Sequence, residues 1–215
     1  MLTMLEEVVL LAVDESSGGL RSSREFSTAY ALVGAAFFDL CLAGNVDTDT
    51  ESTRIIHTKP TGSAILDRIL SDLSKRPDLK TVRDWIEEIY RHYDLEGAAL
   101  KSLIDRGILR HEKSKFLWLI DVESFPMVDN QPQQHVSIRL AKAVLGDEIP
   151  DTRDIMLVSI AAPCGLLNYV LSDTTVRLRK ARIEMLGNLE TISRKVNAAI
   201  ESLESSMRRH ATRVE

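Results

Sequence analysis

The chain is 215 residues long, 44% hydrophobic, 27% charged and 5% aromatic, with a formal net charge of −5. That length suits one domain with a sizeable, mainly aliphatic core, and the acidic balance argues against a general nucleic-acid binder. The two cysteines, Cys41 and Cys164, each sit in an apolar run, which points to a reducing compartment rather than a disulfide scaffold.

Thr3 followed by Glu6 has the spacing of a capping box ahead of an apolar run, and predicts a helix over 3–13. The opening is not a signal peptide: it has no basic start, and Glu6 and Glu7 interrupt it. No later stretch reaches the roughly 20 apolar residues of a spanning helix. SSGG at 16–19 reads as a turn. Residues 27–43 are apolar almost all round, which makes them a central helix, and Gly34, Ala35 and Ala36 offer a face for close packing. Gly44-Asn45 stops it. Residues 46–59 read as a short hairpin or irregular strand pair. Helical spacing follows at Ile65 to Leu73, ended by Arg76-Pro77, then at Val82 to Ile89 and Leu95 to Ile104, the last stopped by Gly107.

A hairpin is predicted at about 108–122, with Lys113 and Lys115 at its tip and Phe116 and Trp118 on the return arm. Amphipathic helix is predicted at His135 to Leu145, and strongly apolar helix at Thr152 to Leu171, which Pro163 should break or kink. From about 175 to 213 the chain turns highly charged. Leu178, Met185, Leu189, Ile192, Val196, Ala199 and Leu203 form a narrow apolar stripe there, and Gly187-Asn188 is expected to split it into two helices. The fold class is mainly α: one globular domain of packed amphipathic helices, residues 1–215, with a projecting β-hairpin.

Signatures of catalysis are missing. The five histidines have no metal-ligand spacing, and there is no G-x-S-x-G, P-loop or G-x-G-x-x-G. Cys164 in PCGLL could be a thiolate at a helix N-terminus, but a buried small residue beside a kink is the plainer reading. Basic residues concentrate at two places on this acidic chain. Lys101, Arg106, Arg110, Lys113 and Lys115 face only Asp105 and Glu112, and RLRKAR at 177–182 contains no acid. A ribbon apolar on both faces has to dock on its own core, another copy or a bilayer. A winged-helix DNA binder is the rival reading of helix, Gly107, strand, basic wing, strand.

Several stretches resemble the Golgi phosphoprotein 3 domain, in its order: LTMLEEVVLLAVDESSGGL at 2–20, VGAAFFDLCLAGNV at 33–46, PTGSAILDRIL at 60–70, TVRDWIEEI at 81–89, LKSLIDRGILRHEKSKFLWL at 100–119, FPM at 125–127 and IMLVSIAAPCGLLNYVL at 155–171. The resemblance implies a helical domain with a projecting hairpin and a peripheral membrane protein that binds phosphatidylinositol 4-phosphate. In eukaryotes it further implies a Golgi protein that helps retain glycosyltransferases through coatomer. The hairpin, in this family, serves self-association and membrane contact.

The positions matching the family's lipid pocket depart from it. They carry Arg24, Val33, Tyr93 and Glu96, so a different anionic headgroup is expected. The chain opens at its first helix without a basic leader, which suggests a bacterial-type homologue with no Golgi role. We therefore expect a non-enzymatic, cytoplasmic, peripherally membrane-associated homo-oligomer, with membrane-protein clients possible, no cofactor, no metal and no nucleic acid. Arg21, Arg24, Lys101, Arg110, Lys113 and Lys115 are the headgroup candidates, and Phe116, Leu117 and Trp118 the candidates for self-association or membrane contact.

Overall fold

The computed structural model describes residues 1–21, 27–48, 52–116 and 120–211, with the side chains at 27, 114–116, 120–122 and 206–211 outside the description. The first helix, α1 (Met4–Ala12), is the axle of the molecule: every one of its residues is buried, among α2 (Ser27–Leu42), α5 (Leu95–Asp105), α6 (Gln131–Leu145) and α7 (Thr152–Ala161). A helix buried at both ends needs protein partners for its unpaired backbone groups. The capping box supplies some at the start, with Thr3 Oγ1 accepting from Glu6 N at 3.1 Å. Asp39 of α2 supplies the rest, accepting from Met4 N at 2.8 Å and Leu5 N at 3.0 Å. Burial pushes the Asp39 carboxyl up to about 6, against the pull of these two donors and of Arg153. At the far end Gln133 donates to the carbonyls of Leu10 and Val13.

Glu6 and Glu7, which looked like breaks in an apolar run, are 3% and 2% exposed. They are tolerated because each is paired. Arg106 Nη1 lies 2.9 Å from Glu6, which also accepts from the Ser102 hydroxyl at 2.6 Å. Glu7 is held by Arg139 at 2.7 Å and Arg153 at 3.0 Å, and Arg139 continues to Asp154. Unpaired buried carboxylates would not survive in a low-dielectric core.

The predicted small-residue face of α2 is used as such. A Cβ on Gly34 would lie 2.9 Å from Ile160 of α7 and 3.3 Å from Val196 and Ile200 of α10 (Thr191–Ala211). Residues 46–55 form the short antiparallel pair β1 (Val46–Thr48) and β2 (Thr53–Ile55). Next come α3 (Ala64–Leu73) and α4 (Val82–His92), where Trp85 meets Phe37 edge-on at 6.0 Å. Pro163 ends α7 as expected, and Gly165, at φ +73°, leads into a 3-10 turn at Leu166–Tyr169.

Two readings of the C-terminal part need correction. Gly187-Asn188 does not split the stripe: both lie inside α9 (Lys180–Leu189), and the breaks come at Arg179, after α8 (Asp173–Leu178), and at Glu190. Gly187 faces α7, where an added Cβ would make only ordinary contact, 3.9 Å from Ser159. The stripe also does not remain one buried seam. Val196, Ala199 and Leu203 of α10 are buried, but Leu178, Met185 and Leu189 are exposed, and Ile183 and Leu186 face the core in their place. The change of direction at Glu190 breaks the helical register that the sequence spacing assumed.

Candidate functional site

The hairpin begins and ends later than its predicted span of about 108–122. Gly107, at φ +71°, ends α5, and Leu109 then bridges Met127. Strands β3 (Glu112–Phe116) and β4 (Ile120–Ser124) pair antiparallel from Glu112–Ser124 to Phe116–Ile120. They pack on each other and, among the described residues, extensively on no other element, so the ribbon stands off the helical body. Its base is anchored. Arg110 N donates to Pro126 O at 3.0 Å, Val128 N to Ile108 O at 2.9 Å, and Phe125 N to Gly18 O at 2.6 Å. His111 stacks on Phe125 with ring centres 5.2 Å apart. The last bond ties the Asp14–Leu20 turn to the root of the ribbon.

The ladder register decides the charge of this ribbon. It puts Lys113, Lys115 and Phe116 all on the outgoing strand rather than at the tip and on the return arm as expected, with Lys113 opposite Glu123 and Lys115 opposite Asp121. Lys113 Nζ is 3.0 Å from Glu123, which Lys113 first, and then His111, holds below the usual carboxylate range. Arg110 pairs with Glu112 at 2.7 Å. Across 110–124 three acids meet Arg110, Lys113 and Lys115, so the stretch is charge-balanced rather than cationic. Leu117 and Trp118, and the side chains of Lys115 and Phe116, lie outside the described residues.

The other headgroup candidates are dispersed. Arg21 follows the 14–20 turn, 2.7 Å from Asp14 and over the Tyr169 ring at 5.0 Å. The Asp14 carboxyl is drawn well below its ordinary range, chiefly by the Ser16 hydroxyl, then by the Ser17 N–H and Arg21. Lys101 lies on α5, 2.5 Å from Asp105. Arg24 lies outside the described residues. Thus Arg110 and Lys113 come together at the hairpin, Arg21 belongs to the turn bound to its root, and Lys101 belongs to a separate helix surface.

Of the positions matching the family's lipid pocket, the three described ones, Val33, Tyr93 and Glu96, supply no cation. Val33 is buried in the core. Tyr93 donates to Asp72 at 3.1 Å with Arg68 5.7 Å from its ring centre, and burial and Asp72 push its phenol up to about 12. Burial, then Asp94, raises the Glu96 carboxyl. Two clefts lie elsewhere. One of about 340 Å³, between β1–β2, the start of α4 and α10, is lined by Thr53, Thr81, Arg83 and Lys195. The other, about 790 Å³ beneath the α6–α7 turn, sets Arg139 and Lys142 against Asp147, Glu148, Asp151 and Asp154. Cys164 is buried, and burial pushes its thiol up to about 12, away from the thiolate chemistry considered for it. The pairing of buried Glu6 with Arg106 and of buried Glu7 with Arg139 and Arg153 escaped the sequence reading, although two acids inside an apolar run were its signal.

The family described as Golgi phosphoprotein 3 (GPP34) matches residues 4–203. The chain belongs to the Golgi phosphoprotein 3 family. Among curated proteins, this Golgi phosphoprotein 3 family member is 25% identical over 207 residues to vacuolar protein sorting-associated protein 74 of Eremothecium gossypii, covering 80% of this chain and 62% of that protein. It is 26% identical over 165 residues to the protein of the same name from Schizosaccharomyces pombe, covering 66% of this chain and 48% of that one. The chain therefore spans about half to three-fifths of the curated relatives it matches. The winged-helix alternative finds no support. Its would-be recognition helix, α5, carries Glu96, and its Lys101 is committed to Asp105.

Proposed function

We propose that this protein is a non-enzymatic peripheral membrane protein that binds anionic lipid headgroups and self-associates through its hairpin. The observation that carries the reading is a ribbon standing off the body of a chain that matches the Golgi phosphoprotein 3 family over nearly its whole length. Among the described residues no helix is long and apolar enough to cross a membrane, and the proposed contact is made from the bilayer surface. Val33, Tyr93 and Glu96 favour an anionic phospholipid other than phosphatidylinositol 4-phosphate, because a carboxylate and a phenol bonded to Asp72 do not complement a phosphomonoester.

Co-sedimentation tests the reading. Binding to phosphatidylcholine vesicles should appear on adding phosphatidylglycerol or phosphatidylserine and fade as salt screens it. Lys113→Glu with Lys115→Glu turns a balanced ribbon strongly acidic and should weaken binding about thirtyfold or more, given about 1 kcal/mol per basic residue at an anionic surface. Equal recovery on neutral and anionic vesicles would count against the reading. For self-association, Trp118→Asp should shift the light-scattering mass towards the monomer, since a charge in an apolar contact is left desolvated and unpaired. An unchanged mass would remove the hairpin from the contact between copies.

A further inference from the structure

The cleft of about 340 Å³ between the β1–β2 pair, the start of α4 and α10 runs against the acidic balance of the chain. Its lining holds two cations, Arg83 of α4 and Lys195 of α10, and five hydroxyl side chains, among them Thr48, Thr53 and Thr81. None of the described residues that line it is acidic. The larger cleft, beneath the α6–α7 turn, sets two cations against four acids and selects neither sign. Bonds between elements far apart in the chain hold the smaller cleft in shape. Thr53 N donates to Lys80 O at 2.6 Å, and Lys195 Nζ donates to Thr48 Oγ1 at 3.3 Å.

Both cations keep donors for a ligand. Glu87 accepts from Arg83 Nε at 3.0 Å, which leaves the two Nη groups unengaged among the described residues. Lys195 has three donors, of which Thr48 takes one. Asp84, in the first turn of α4, is not part of the lining. Its carboxylate accepts from the N–H groups of Lys80 and Thr81, at 3.1 and 2.9 Å. Residues 49–51, which join Thr48 to Ser52, lie outside the described residues and form no part of the site. Val82, Ala198 and Ala199 give the cleft a small apolar wall. Two cations beside hydroxyls complement a doubly charged oxyanion, because charge-assisted hydrogen bonds to phosphate are about twice as strong as neutral ones. An amine or a metal cation would be repelled by the same pair. The volume falls at the lower end of the roughly 300–1,000 Å³ of ligand sites, room for a phosphate carrying a small organic group.

We propose that this cleft is a phosphomonoester-binding site, in which Arg83 and Lys195 hold the phosphate from two different helices. It is separate from the hairpin and does not rest on the membrane reading above. The same chemistry is offered by a free phosphorylated small molecule and by a lipid whose headgroup ends in a phosphomonoester.

Calorimetric titration of the full chain with inorganic phosphate, at ionic strength held constant with sodium chloride, should show one saturable site. Arg83→Gln and Lys195→Gln should each weaken it about tenfold or more, the effect of losing a hydrogen bond to a charged group. Ala198→Phe keeps both cations, fills the cleft from an exposed position, and should abolish the titration with circular dichroism unchanged. Co-sedimentation with phosphatidylcholine vesicles containing phosphatidic acid or phosphatidylglycerol separates the two sources. A preference for phosphatidic acid that all three variants lose would assign the site to a lipid headgroup. Saturable phosphate binding without that preference would assign it to a free ligand. Phosphate binding by a protein that ignores every vesicle would overturn the membrane reading and leave this site standing. Wild-type protein that neither saturates with phosphate nor prefers phosphatidic acid would overturn the site, as would binding that all three variants retain in full.

Discussion

Replacing Arg139 with methionine should cost about 3–5 kcal/mol of folding stability, the range for removing one partner of a buried ion pair. Arg139 links Glu7 of α1, whose side chain is 3% exposed, to Asp154 of α7, whose side chain is 10% exposed. Methionine retains the apolar stem but leaves Asp154 without its cation. Glu7 keeps Arg153 at 3.0 Å, which favours the lower end of the range. Arg76→Met supplies the contrast. That arginine is 41% exposed and bridges Asp78, 60% exposed, and Glu88, 20% exposed, so the loss should be about 1 kcal/mol, well below that of the buried pair. Urea unfolding of both variants measures the difference, with unchanged slopes confirming that the same surface is exposed. Similar costs for the two would show that the network around α1 is ornamental to stability.

Gly18→Ala should be nearly as damaging, at about 2–4 kcal/mol, because two effects combine. Gly18 sits at φ +66°, where a Cβ is strained, and that Cβ would fall 2.6 Å from Pro126 N and 2.9 Å from the Phe125 carbonyl carbon. Both are backbone atoms that cannot swing aside. Relief requires the 14–20 turn to part from the hairpin root, stretching the Phe125 N to Gly18 O bond of 2.6 Å. The ribbon would lose its fixed angle to the body, so vesicle binding should weaken along with stability. Gly62→Ala isolates the conformational part: φ there is +86°, but nothing lies within 4 Å of the added carbon, and the cost should be about 1 kcal/mol. Thermal melts that place Gly18→Ala no lower than Gly62→Ala would falsify the steric argument.

Most of the fold was readable in advance because its signals are local. The Thr3–Glu6 box, the apolar α2, the stop at Gly107 and the break at Pro163 each depend on neighbours within a turn or two of chain. The candidate site was less readable. Lys113 and Lys115 stood out as cations, but their partners Glu123 and Asp121 are fixed by strand register, which residue counts do not specify. Gly187-Asn188 read as a breaker because glycine is a poor helix former, yet α9 continues through both residues to Leu189.

Residue order alone was enough to establish the helices, the ribbon and the resemblance to the Golgi phosphoprotein 3 family, since periodicity, caps and collinear motifs are properties of nearby residues. It left open which apolar row would be covered and which charge would meet which. Those outcomes rest on pairs remote in the chain: Glu6 with Arg106, Glu7 with Arg139, and Arg182 with the turn after α6. With breaks at Arg179 and Glu190, Val196 is buried while Leu178 stays in water, because burial depends on where a helix is laid against its neighbours as well as on its own pattern.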